Sequence, residues 1–273
     1  MGLEQSDLNR MLEVATVAAR LAGQRAMEEI NYLKVSIKNN SELVTQTDLR
    51  CQTIIVDRIK ENFPDHGFIA EEGDGGSVFK QPPRGAQPFW WAIDPIDGTN
   101  NYAHRVLSFA VSVALIYKDE PVVGVIFDPA TESTFTAVKN GGAQYNGTRI
   151  FAGEEEINEY ASVTIDSNID QNSLPAVTAL MLRTRFRNFG TTALHMAYVA
   201  KGGFIASILI SPKLWDIAAG SLIVEEAGGI VTDWNGQKIF PMDVANYNRR
   251  PIPTVASNRK VNAEILKIIN SQK

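Results

Sequence analysis

Four acidic residues fall where this sequence predicts the ends of secondary-structure elements. Glu71 follows the apolar run Phe68-Ile69-Ala70, and Asp94 follows Phe89-Trp90-Trp91-Ala92-Ile93. Asp97 lies in Asp94-Pro95-Ile96-Asp97-Gly98-Thr99, and Asp216 lies in Trp215-Asp216-Ile217-Ala218-Ala219. Carboxylates brought together at strand ends repel one another, and a divalent cation removes the conflict. Magnesium prefers carboxylate, carbonyl and water oxygens. Pro95 fixes the turn, so Asp94 and Asp97 are expected to aim at one place with the Ile96 carbonyl between them. Gly98 and Thr99 then open a short helix through Asn100-Asn101-Tyr102, whose free N–H groups suit a phosphate. Taken alone, Asp94 and Asp97 would equally serve as turn and helix-cap residues; Glu71 and Asp216 tip the balance to a metal site. No G-x-S-x-G elbow, Walker loop or cysteine nucleophile appears, so a covalent mechanism has no carrier. His66, His104 and His195 share no ligand spacing and read as structural or surface residues. Gly73, Gly75 and Gly76 read as a flexible loop beside the site.

Those carboxylates need a scaffold, and the hydrophobic pattern supplies one. Residues from about Ser6 to Ile30 carry apolar side chains at helical spacing, with Ser6 as N-cap. Lys38 to Glu42 reads as an exposed loop, Leu43 to Thr47 as a short extended piece, and Asp48 to Asn62 as a second helix stopped by Pro64. Strands are predicted near 68–70, 89–93, 109–117, 122–127 and 133–138. In the second half, strands near 162–165 and 204–209 alternate with helices near 174–183, 191–200 and 215–227, and a last helix starts near Val261. Gly228-Gly229 is a fitting C-cap. The mixture reads as α+β layers. No linker is evident, so 1–273 is read as one domain with halves at about 1–150 and 151–273.

Composition narrows the classes. The chain has 273 residues, 44% of them hydrophobic and 21% charged, enough to build a core. Its net charge of −5 argues against a general nucleic-acid binder. No run approaches the roughly 20 apolar residues of a membrane span. One cysteine, Cys51, and no signal-peptide pattern suit a reducing cytoplasm.

The chain resembles the inositol monophosphatase family of magnesium-dependent, lithium-sensitive phosphatases. The resemblance rests on Ala70-Glu71-Glu72, on Trp91 to Tyr102, and on Trp215 to Gly220 followed by Glu225 to Gly229. It implies a layered αβαβα sugar-phosphatase fold, usually a homodimer, with two or three Mg2+ ions. By position, Glu71, Asp94 and the Ile96 carbonyl would hold one ion, Asp94, Asp97 and Asp216 a second, and a looser third would sit near Glu71. Glu71 and Thr99 would orient the attacking water, with Asp48 bonded to Thr99; Asp48 also reads as a simple helix cap. Asp97, Gly98, Thr99, Thr192 and Asp216 would meet the substrate, and Thr191 and Thr192 its alcohol portion.

The pattern departs at one place. Inositol-selective members of the family carry a glutamate seven residues before the Trp-Asp aspartate, and this chain has Leu209 there. A leucine accepts no hydrogen bond from ring hydroxyls, so selectivity for inositol is not implied. Lys213 reads as an exposed lysine rather than a second anion contact, and Arg183, Arg185 and Arg187 as subunit contact or solvation. The leading expectation is hydrolysis of an inositol or sugar phosphate by a metal-activated water. The alternatives are fructose 1,6-bisphosphate, adenosine 3′,5′-bisphosphate or histidinol phosphate as substrate, or a silent metal- and phosphate-binding protein.

Overall fold

The computed structural model describes residues 3–32, 35–38, 42–84 and 88–271. Residues 39–41 of the expected exposed loop lie outside the described residues. Two helices open the chain: α1 (Gln5–Glu29) and, after the hairpin β1 (Val35–Lys38) and β2 (Glu42–Thr45), α2 (Gln46–Asn62). Then come β3 (Gly67–Ala70), β4 (Phe79–Gln81), β5 (Phe89–Asp97) and the short α3 (Thr99–Ala103). A meander follows: β6 (Ala110–Tyr117), β7 (Glu120–Asp128), β8 (Ser133–Val138), β9 (Gly142–Tyr145) and β10 (Thr148–Arg149). The second half holds β11 (Ser162–Ile165), α4 (Leu174–Met181), β12 (Arg185–Arg187), α5 (Thr192–Ala200) and β13 (Ala206–Leu209). It ends with α6 (Leu214–Glu226), β14 (Ile230–Asp233), β15 (Thr254–Ser257) and α7 (Asn262–Asn270).

Among the described residues the strands form one sheet in the order β10-β9-β8-β7-β6-β5-β3-β4 and another in the order β12-β11-β13-β15-β14. Side chains alternate across each strand, and this sorts the layers. Trp91 and Ile93 of β5 pack with Val113 and Val125 against α1 and α2. Trp90 and Ala92, on the opposite face, pack against α5 and α6, which also meet Leu209, Val231 and Ala256 of the second sheet. Val163, Ile208 and Val255 turn outward to α4 and α7. The result is an αβαβα stack. The central helices approach closely: a β-carbon on Gly124 of β7 would stand 2.9 Å from the Ala219 carbonyl oxygen of α6.

Three expectations need correction. The α1 N-cap is Glu4, with no side-chain cap bond, rather than Ser6. The run from Gly73 to Pro88 is not all loop, since a 3-10 turn (Asp74–Gly76) and β4 lie within it. Strands β12, β14 and β15 were not foreseen.

His66 is structural, as read. Its ring stacks on Phe63 and Phe89, with centroids 4.9 and 4.5 Å away, and the Trp91 indole N–H donates to its Nδ1 at 3.0 Å. Burial lowers its pKa to about 4. The folded chain therefore holds His66 neutral where the unfolded chain, with an imidazole near 6.5, takes up a proton. Its contribution is complete above about pH 6.5 and is lost as the pH falls through about 4. His66→Gln keeps an acceptor for Trp91 and cannot titrate, so its melting temperature should fall less between pH 7 and pH 4.5. Equal falls in the two proteins would dismiss His66 as an acid-sensitive group.

Candidate active site

The site begins where β3 and β5 run parallel and end together. Ala70 pairs with Ile93, and the Glu71 N–H continues the ladder to the Ile93 carbonyl at 3.3 Å, so Glu71 lies beside Asp94. Residues three apart on a regular strand face opposite ways. Here Asp94 stands opposite Ser112 and Asp97 opposite Ala110, so β5 carries one extra residue between them. Such a bulge re-aims the strand and can bring both aspartates to one side. Pro95, with no N–H to lose, fits within it.

Gly98 follows with φ +98°, a left-handed conformation that favours glycine. A β-carbon there would also stand 3.0 Å from the Gly190 carbonyl oxygen, so the two halves of the chain touch at this turn. Thr99 opens α3. Its hydroxyl lies 3.3 Å from Asp48 Oδ1 and 3.0 Å from the Ile96 carbonyl, and its single proton is shared between these two acceptors. The N-cap of α2 is Thr45 rather than Asp48, which sits three residues on and completes the capping box while also meeting Thr99. Its Oδ2 accepts the Thr45 N–H at 2.9 Å, while Oδ1 faces Thr99.

The second half supplies the opposite wall. Asp97 Oδ2 accepts the Thr191 hydroxyl and, at 2.6 Å, the Ala193 N–H, so it caps the start of α5. Asp216 Oδ2 accepts the Lys213 N–H at 2.7 Å at the start of α6. Asp94 Oδ1 accepts the Ile96 N–H at 3.0 Å. Each of the three aspartates thus has one oxygen fixed by a backbone donor.

Electrostatics couple the carboxylates to one another. Burial, and then the field of Glu71, Asp97 and Asp216, pushes Asp94 well above the usual carboxylate range. Burial, and then the charges of Asp97 and Glu71, does the same to Asp216, which shares a hydrogen bond with Asp94. Asp97 rises only to about 6, because burial is opposed by the donors of Thr191, Ala193 and Thr192. These side chains are neighbours and not a closed cage. Among the described residues no three Asp, Glu, His or Cys side chains are already disposed to hold an ion. Asp97 Oδ2 and the Ile96 carbonyl each also meet hydrogen-bond donors.

A cavity of about 380 Å³ opens beside the aspartates. Asp97, Gly98, Thr99 and Asp216 line one end, and Thr192 contributes to the wall. Thr191 is buried with its hydroxyl engaged by Asp97, so Thr192 is the partly exposed member of that pair. Leu209 is fully buried in the central apolar cluster and does not line the cavity. Neither does Lys213. The sequence reading missed Asp166, Asn188 and Ser211, which form the far end. Their only sequence signal was their place after strands that end on one side. Among the described residues no lysine or arginine lines the cavity.

A two-sheet αβαβα stack with acidic side chains from both halves at the mouth of a polar cleft is the architecture of the sugar-phosphatase class. The chain belongs to the inositol monophosphatase family, whose signature spans residues 7–272. It is 34% identical over 271 residues to the Nus factor SuhB of Escherichia coli K12, covering 93% of this chain and 97% of that one. It is 36% identical over 232 residues to the fructose-1,6-bisphosphatase/inositol-1-monophosphatase of Thermotoga maritima, covering 84% and 83%. Among solved structures it superposes on the extragenic suppressor protein suhB of Bartonella henselae. That match has a TM-score of 0.85 and 30% identity, covering 95% of this chain and 98% of the other.

Proposed function

We propose that this protein hydrolyses the phosphate monoester of a small, uncharged, hydroxyl-rich alcohol in a magnesium-dependent reaction. One observation carries the proposal: Glu71, Asp94, Asp97 and Asp216 gather from distant positions, the last two in the lining of a polar cavity with no lysine or arginine among the described residues that line it. The donor set of Glu71, Asp94, the Ile96 carbonyl, Asp97 and Asp216 is entirely oxygen, which fits magnesium and suits two or three ions. Bound there, the ions would supply a water of lowered pKa and neutralise the charge that gathers on phosphate and leaving oxygen.

The chain's own residues do the rest. Thr99, held by Asp48, orients the attacking water together with Glu71. The Gly98 and Thr99 N–H groups, at a helix start with no intrahelical partner, receive phosphate oxygens. Asp97 and Asp216 flank the phosphate, and Thr192 faces the alcohol portion. A cavity whose described lining has no lysine or arginine favours an uncharged alcohol over one bearing a second phosphate. The same reading carries lithium inhibition, a homodimer and a cytoplasmic setting. No described helix is long and apolar enough to cross a membrane.

The test is a magnesium titration of phosphate release from inositol 1-phosphate, glycerol 2-phosphate, fructose 1,6-bisphosphate, adenosine 3′,5′-bisphosphate and histidinol phosphate. Release that saturates with magnesium and is greatest for the first two supports the reading. A second reading, a metal- and phosphate-binding protein without turnover, has in its favour the relatives named Nus factor SuhB, at about a third identity over most of this chain. Magnesium binding with no release from any of the five esters would point to that binding role instead.

A further inference from the structure

The far end of the cavity is built differently from the metal end, and its construction centres on one residue. Strands β12, β11 and β13 lie side by side and parallel, so the loops that follow them emerge on the same side. Those loops carry Asn188, the run Asp166-Ser167-Asn168, and Ser211, all of which line the cavity. Asp166 is the only member of that group with a charge. Its Oδ2 accepts the Ile210 N–H at 2.7 Å and the Ser211 N–H at 3.4 Å, and its Oδ1 accepts the Asn168 N–H at 3.1 Å. One carboxylate therefore ties the loop after β11 to the loop after β13. Side chains complete the wall: Asn168 Nδ2 donates to Ser211 Oγ at 3.2 Å, and Asn188 Nδ2 to Ser167 Oγ at 2.9 Å.

We infer that Asp166 sets the selectivity of this cavity: it positions a wall of amides and hydroxyls for a polyhydroxy alcohol, and its charge turns away substrates with a second anionic group. The inference rests on the proposed phosphatase activity and specifies which side chain decides among its substrates. Two physical points support it. Burial raises the pKa of Asp166, but three backbone donors, shared between both oxygens, favour the ionised form. A carboxylate offers about four lone-pair sites, so it retains capacity for a substrate hydroxyl beyond its three N–H bonds. A second phosphate at this end would face that carboxylate with no lysine or arginine among the described lining residues to compensate.

A purely structural Asp166 would do no more than turn the chain at Asn168 and tie the two loops together. Two variants separate the roles. Asp166→Asn keeps an acceptor for the Asn168 N–H and removes the charge. Asn168→Lys leaves the carboxylate and its backbone donors in place and sets a cation beside it. The measurements are kcat/KM and calorimetric affinity, in saturating magnesium, for inositol 1-phosphate and fructose 1,6-bisphosphate, with melting temperature as the folding control. The wild-type protein should prefer inositol 1-phosphate by at least about tenfold, and each variant should narrow that ratio by about tenfold. Equal use of the two esters by the wild type, or an unchanged ratio in a folded Asn168→Lys protein, would overturn the inference. Absence of turnover with both esters would defeat the phosphatase reading alone, because the affinity ratio still decides the part played by Asp166.

Discussion

Asp94→Asn should reduce turnover by roughly a thousandfold or more while leaving the protein folded. Asp94 is the carboxylate that feels every other member of the cluster. Glu71, Asp97 and Asp216 all act on it, and it shares a hydrogen bond with Asp216. In the proposed arrangement it belongs to both ion sites, so one substitution weakens both. Asparagine keeps the shape and still accepts the Ile96 N–H, so the bulge in β5 survives. Removing a buried charge also relieves repulsion, so without magnesium the variant should melt no lower than the wild type. The readouts are phosphate release and the rise in melting temperature on adding magnesium, since a ligand that binds only the folded state stabilises it. The wild type should show both and Asp94→Asn neither. Thr99→Ala provides the contrast, because it removes the hydroxyl beside Asp48 and no proposed ion ligand. It should keep the magnesium-dependent rise while losing about a hundredfold in kcat. Near-normal turnover in Asp94→Asn would remove Asp94 from the centre of the reaction.

The parts of this molecule that were legible in the sequence share a physical reason. Long helices and buried strands announce themselves by period, and α2, β6, β8, β11 and α6 fall within a few residues of their predicted positions. Strand ends followed by acidic residues were visible for the same reason. What stayed hidden depends on partners far away in the chain. The bond from the Thr191 hydroxyl to Asp97 joins residues 94 positions apart, and nothing local marks it. Strand β12 is an exposed edge in which Arg185 and Arg187 flank Phe186, too polar and short to show alternation. Strand β15, Thr254–Ser257, is wholly buried with polar residues at both ends, so composition disguised it. The approach of Gly98 to Gly190 could be guessed from neither glycine alone, and it is this contact that brings the cavity's two ends together.

Leu209→Glu separates a sequence argument from a structural one, and the two give opposite expectations. Counted from Asp216, position 209 is where family resemblance puts a carboxylate for ring hydroxyls, so a glutamate there would be expected to improve inositol selectivity. In the fold, Leu209 ends β13, an internal strand between β11 and β15, and its side chain is fully enclosed among the residues between the two sheets. Its carbonyl accepts the Trp234 indole N–H at 3.1 Å, which anchors the strand end. A glutamate at this position loses the burial of a leucine, about 2 kcal/mol, and adds an unpaired charge to an apolar cluster. The expected cost is roughly 3 kcal/mol or more, and the melting temperature should drop by about 10 °C. Leu209→Met, which preserves volume, should cost less than about 1.5 kcal/mol. The folded fraction of Leu209→Glu should show no gain in preference for inositol 1-phosphate over glycerol 2-phosphate, because the residues proposed to face the alcohol lie on the loops after β11, β12 and β13 and at the start of α5. A variant that melts like the wild type and prefers inositol 1-phosphate would mean that Leu209 faces the substrate after all, and the far wall around Asp166 would lose its claim to selectivity.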